Sequence, residues 1–276
     1  VIFGEAFSET GKSLPTDFAH PDFFSLFQAA GGRLFSVQHF ENPVPSMLYL
    51  VEYDAVQQRI DGSLVPLDVQ VVRQKDTLGY LGGQMHCSGS VTPWSTHLGS
   101  EEWASPGDWV DVEHPREGQK AHLAFFDGPN GHQRFHPYRY GYVFEVSVAE
   151  REPAGHAGSF GSIGASGFYS FTKHYTMGRI SHEMPTCLPD RKTCYMSDDW
   201  KGGVLLMFKA DQAEDLSAGS LYAARPRHQQ DASTGKNVSL TMDIEWVDLG
   251  HAKDEEIRSH LTAEFGDLME KVTPSS

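Results

Sequence analysis

The chain has 276 residues, 39% of them hydrophobic and 12% aromatic, enough to bury a sizeable core. Its 37 acidic side chains against 22 Lys and Arg leave a formal net charge of −15, which argues against a nucleic-acid partner. No run of about twenty apolar residues occurs, so no membrane-spanning helix is expected.

In chain order, the first predicted element is a short helix over Asp17–Ala30. It carries Phe18, Phe23, Phe24, Leu26 and Phe27 and is interrupted by Pro21, so a loop packed by aromatics is the alternative. Strands follow wherever β-branched and aromatic runs lie between Gly, Pro, Asn or Asp. These runs are Leu48–Tyr53, Val65–Val72, Tyr140–Val148, Val204–Phe208, Leu221–Ala224 and Val238–Val247. Gly and Ser dominate Ala154–Gly167, which reads as a flexible loop. A second helix is predicted over Asp254–Val272. There Ile257, Leu261, Phe265, Leu268, Met269 and Val272 share one face, and Asp254, Glu255 and Glu256 suit the positive N-terminus. Short strands at this spacing fit a sandwich or a propeller, and no clean repeat of about forty residues chooses between them.

The most informative stretch is Cys87-Ser-Gly-Ser-Val-Thr-Pro-Trp-Ser-Thr-His-Leu-Gly-Ser-Glu101-Glu102. A thiolate is a soft metal ligand, whereas carboxylates are hard oxygen ligands for calcium, magnesium or ferric iron. By themselves these residues read more readily as a buried small hydrophobe and two solvated carboxylates than as a metal site. The chain's 14 histidines do not suggest zinc, because neither His-Glu-x-x-His nor a paired Cys-x-x-Cys occurs. Asn237-Val238-Ser239 is a glycosylation sequon of little weight.

Four segments in order carry a family resemblance. Cys-x-Gly-x-x-Thr-Pro-Trp-x-Thr followed by Glu-Glu is the first. Met177-Gly178-Arg179-Ile180-Ser181-His182-Glu183 and Cys194-Tyr195-Met196-Ser197-Asp198-Asp199 follow, and Leu216–Ala224 is the last. Together, over roughly residues 80 to 250, they resemble the PhoX-type alkaline phosphatases.

The resemblance implies an all-β fold, a β-propeller of a six-bladed family. Residues 1–276 would form one propeller domain, only part of the ring, with the amphipathic helix over 254–272. It implies a phosphomonoesterase acting through an iron and calcium cluster, exported to the periplasm or outside the cell. Carried over by motif, Cys87 would ligate iron, and Glu101, Glu102 and Glu183 would be metal-binding carboxylates. Arg179 and His182 would orient Glu183 or meet substrate, or form an ordinary hydrogen-bonded pair. Asp198 and Asp199 are turn residues or hold an outer calcium. In the oxidising setting the family implies, Cys187 and Cys194, flanking a turn-forming hexapeptide, are expected to form a disulfide. Cys87 is then the odd one out.

The chain departs from the family in one respect. The family's Arg-Pro-Glu segment and a late acidic ligand have no counterpart here. The only Arg-Pro is Arg225-Pro226-Arg227, which lacks the Glu. A second chain or further segment is therefore expected to complete the ring, and residues 1–276 alone are expected not to hydrolyse the phosphate monoester. The alternative is a non-catalytic propeller serving binding or assembly.

Overall fold

The computed structural model describes residues 5–8, 10–14, 20–42, 48–54, 56–57, 64–71, 83–102, 120, 123–127, 137–149, 160–162, 168–227, 233–235 and 242–261. The Asn237 sequon, most of Ala154–Gly167 and the end of the second predicted helix lie outside them. The described residues are mostly β, in four antiparallel sheets. The smallest pairs β1 (Ala6–Phe7) with β2 (Ser13–Leu14).

The first large sheet is a meander of β3 (Pro21–Gln28), β4 (Leu34–Phe40), β5 (Leu48–Tyr53) and β6 (Pro66–Val71). The prediction of a helix at Asp17–Ala30 is corrected here: residues 21–28 are extended. The pattern is period two, with Ser25 and Phe27 buried while Phe24 is 63% and Leu26 42% exposed. Pro21 sits at the start of an edge strand, where its missing N–H does no harm. Helical spacing of phenylalanines was a misleading cue because alternate aromatics point out of the sheet.

The second sheet comprises β7 (His86–Val91), β8 (His97–Glu101), β9 (Val143–Ala149), β10 (Phe160–Ser162) and β11 (Phe168–His174), in the order β10-β11-β9-β8-β7. The third is a meander of β12 (His182–Cys187), β13 (Thr193–Asp198), β14 (Leu205–Gln212), β15 (Asp215–Arg227) and β16 (Asp243–Lys253). Cys187 and Cys194 are direct cross-strand partners joined by a disulfide. The predicted strands at Val204–Phe208 and Leu221–Ala224 fall on β14 and β15, with shifted ends, and of the one predicted over Val238–Val247 the described residues 243–247 lie on β16, 238–241 being outside the described residues.

Two cores lie on either side of the second sheet. One joins Phe27, Phe35, Val37, Leu48 and Leu50 of the first sheet to Phe144, Val146, Tyr169 and Phe171. The other joins Leu98 and Val143 to Met177, Met196, Leu206 and Phe208. Adjacent Val143 and Phe144 point to opposite faces, so the start of β9 is buried on both sides, while Glu145 and Ser147 further along make its sequence alternate. This layering places β3, β7 and β12, the first strands of the three sheets, side by side. Of the second predicted helix, 254–261 is helical, with Ile257 and Leu261 packed on Tyr142 and Tyr175.

Candidate metal centre

The β7–β8 hairpin is shaped by its own motif. Thr92 N donates to Thr96 O at 2.9 Å, Ser95 takes a positive φ of 64°, and the Thr92 and Thr96 hydroxyls lie 2.7 Å apart. Trp94 Nε1 donates to Glu145 Oε1 at 2.7 Å. Thr92 and Trp94 thus build the hairpin. Gly89 and Gly99 are cross-strand partners. A Cβ on Gly99 would lie 2.3 Å from the Phe144 ring and 2.8 Å from His97 Nε2. Gly99→Ala is therefore expected to destabilise the protein by about 1–3 kcal/mol, read as a lowered thermal midpoint.

Three bulges repeat across the three sheets. Pro21 pairs with Phe40 and Phe24 with Gln38; His86 pairs with Glu101 and Gly89 with Gly99; His182 pairs with Asp198 and Pro185 with Met196. In each case the first strand carries one residue more than its partner, which bends the strand and re-aims a side chain. The residue after the first pair is Asp22 in β3, Cys87 in β7 and Glu183 in β12. The residue after the partner is Glu41, Glu102 and Asp199. The closing hydrogen bonds repeat as well: Glu41 N to His20 O at 2.9 Å, Glu102 N to Met85 O at 3.0 Å and Asp199 N to Ser181 O at 2.9 Å. Each sheet thus offers two donor-bearing residues from the same place.

These side chains feel one another. The buried Cys87 thiol donates to Glu183 Oε2 at 3.1 Å. Burial, that bond and the nearby Asp22 push the thiol well above its ordinary range. Burial together with Glu41, Asp199 and Glu183 pushes Glu102 up to about 7. Glu41, Glu102 and Glu183 are half-buried, and Asp22 and Asp199 are exposed, so the thiol lies deep and the carboxylates open towards solvent. Among the described residues no three of these groups close to coordination distance around one point.

The other predicted site residues are placed elsewhere. Glu101 is fully buried: Oε1 accepts from Lys173 Nζ at 2.8 Å and Gln84 N at 3.1 Å, and Oε2 from Gly141 N at 3.0 Å and Tyr142 N at 3.1 Å. His182 donates from Nε2 to Gly178 O at 3.0 Å, and burial lowers it to about 4. Arg179 Nε donates to Tyr140 O at 2.8 Å, with its guanidinium 5.1 Å from the Tyr138 ring centre. Asp198 accepts from Ser181 N and Val204 N in the turn. Of that set, Cys87, Glu102, Glu183 and Asp199 are brought together. Asp22 and Glu41 escaped sequence reasoning because they lie outside the four motifs.

A family model described as Alkaline phosphatase PhoX matches residues 56–271. The chain belongs to the PhoX alkaline phosphatase family. No individual curated protein and no solved structure matches it significantly. The PhoX match takes in the second and third sheets and begins after β5. The sheet carrying Asp22 and Glu41 therefore reaches this site from almost wholly outside the matched range.

Proposed function

We propose that the chain carries the metal-holding mouth of a PhoX-type phosphomonoesterase. The observation that carries this is the threefold repeat of bulge and donor pair: Asp22 with Glu41, Cys87 with Glu102, Glu183 with Asp199. We read the three sheets as consecutive propeller blades whose inner strands present these groups at one end of the axis. Five carboxylates and a thiol in one region repel one another when ionised, and closely held cations would offset that repulsion. The donor set fits iron at the Cys87 thiolate and calcium among the carboxylates. Bound metals there would hold phosphate oxygens and stabilise charge on the phosphoryl group.

The chain's own residues supply the rest. Glu183 Oε2 already accepts from the thiol, so it is the nearest base when Cys87 gives up its proton. The Ser100 hydroxyl lies 2.7 Å from Ser88 O and 2.8 Å from Glu183 O, tying the Cys87 hairpin to β12. We read Glu101 as a structural carboxylate, its oxygens already satisfied, and Glu102 as the ligand of the pair. Export from the cell agrees with the disulfide and the family.

A binding or structural role is the second reading. It draws on Arg225 and Arg227, which pair with Glu245 on the surface and leave this chain's only Arg-Pro engaged there. Elemental analysis of the purified protein equilibrated with iron and calcium tests the main reading. Wild type should hold both metals, Cys87→Ala should lose iron, and Glu183→Gln and Glu102→Gln should lower total metal at unchanged folding. A wild-type protein that binds neither metal would overturn it. Turnover of p-nitrophenyl phosphate by residues 1–276, abolished by Cys87→Ala, would show that these groups suffice without the family's Arg-Pro-Glu segment.

A further inference from the structure

Beside the cluster, three imidazoles are buried between the first and second sheets. His39, His86 and His97 are each at most 1% exposed. His39 Nε2 and His97 Nε2 lie 2.7 Å apart, with the rings nearly perpendicular at 87° and 4.7 Å between centres. His97 Nδ1 lies 2.7 Å from Ser25 Oγ, and His39 Nδ1 lies 2.6 Å from Cys87 O. Phe23 and Phe144 flank both rings.

One end of this chain dictates all its protons. A carbonyl oxygen only accepts, so His39 Nδ1 carries a hydrogen and donates to Cys87 O. His39 Nε2 is then the acceptor, and His97 Nε2–H donates to it. His97 Nδ1 is left as an acceptor, and the Ser25 hydroxyl donates to that. Each gap holds one hydrogen and both rings are neutral. Burial agrees, lowering His39 to about 4 and His97 well below its usual value. The path alternates between sheets: Ser25 on β3, His97 on β8, His39 on β4, Cys87 on β7.

We propose that Ser25, His97 and His39 form a one-way hydrogen-bond chain that ends on the Cys87 carbonyl and holds the Cys87 thiol in place. They are positioning residues for the site. The chain fixes the bulge of β7 against the sheet that carries Asp22 and Glu41. Gly89 and Gly99 make room for it, since a Cβ on Gly89 would stand 3.2 Å from His97 Cε1 and one on Gly99 2.8 Å from His97 Nε2. Ser25 and His39 precede the stretch that matches the family. The value of a fixed thiol rests on the metal reading above; the chain itself does not.

The tautomers are measurable in metal-free protein by two-bond proton–nitrogen correlation of 15N-histidine, assigned by difference with single His variants. His39 should carry its hydrogen on Nδ1 and His97 on Nε2. The same tautomer in both rings would overturn the proposal. Cys87 is the one unpaired cysteine of three, so alkylation reports on it alone. Ser25→Ala removes the first donor. It should leave the tautomers, which the Cys87 carbonyl sets, as they are, and speed alkylation about tenfold, the scale of one lost buried hydrogen bond. Ser36→Ala, at another buried serine of the same sheet, should not. His39→Asn keeps a donor where Nδ1 stood and should retain slow alkylation, whereas His39→Leu should not. Equal rates for Ser25→Ala, His39→Leu and wild type would overturn the positioning role. Correct tautomers in a protein that binds no iron would support the chain and sink only the metal reading.

Discussion

Glu101→Ala is expected to lower stability by about 3–5 kcal/mol, the scale for stripping one partner from a buried ion pair. A typical domain has about 5–15 kcal/mol in all, so this variant is expected to be largely unfolded at moderate urea. Lys173 and Glu101 side chains are 1% and 0% exposed and lie 2.8 Å apart. Removing the carboxylate leaves Lys173 with Arg139 O and the Tyr140 ring as its remaining support. It also strands the amides of Gln84, Gly141 and Tyr142, each buried and each losing its acceptor. The reverse change, Lys173→Met, leaves Glu101 with those three amides and is expected to be milder. Urea unfolding of both variants measures the order. Equal losses, or a Glu101→Ala loss under about 1 kcal/mol, would show that the amides and the buried charge do not matter as argued. Glu102→Gln is the contrast: metal should go and stability should stay. Two adjacent glutamates have different surroundings because successive residues of an extended segment face opposite ways.

Stability should also fall across the alkaline range through His174. Its Nε2 lies 3.0 Å from Glu145 Oε2, and its Nδ1 is 3.8 Å from Asp254 Oδ2. Burial opposes the charged ring, but the two carboxylates outweigh it and raise His174 from 6.5 to about 9. The folded value lies above the unfolded one. The contribution is therefore complete below pH 6.5, declines between 6.5 and about 9, and is gone above that. Its full size is about 3 kcal/mol at 1.36 kcal/mol per pH unit. Denaturant unfolding at pH 6, 7.5, 9 and 10 should trace this fall, and His174→Gln should flatten it. A parallel slope in the variant would refute the assignment. The Cys87 hairpin would feel the change, since Glu145 also accepts from Trp94 and Thr96. Asp254 adds a second link by accepting from Thr176 N at 2.9 Å, which joins the C-terminal helical turn to the 3-10 turn after β11.

What the amino-acid order determined by itself was local. Leu48–Tyr53 is a strand with the boundaries its composition implies, because a run apolar on both faces suits a central strand and little else. The cross-strand Cys187 and Cys194 and the membership signalled by the Cys87 motif were also legible there, each being a matter of neighbours in sequence. Strand β3 was not, because its phenylalanines mimic helical spacing, and a period of two emerges only once the sheet beneath it buries Ser25 and Phe27.

Only the tertiary structure decided which residues share the site. Asp22 and Glu41 stand far in sequence from Cys87, and a bulge is invisible until two strands are paired and one is found a residue longer. Glu101 and Glu102 are chemically identical in the sequence. Lys173 and three amides, supplied by other segments, single out the first. The histidine chain shows the same limit. Ser25, His39 and His97 carry no spacing signal, since a hydrogen bond is set by distance across the interface between two sheets and not by separation along the chain.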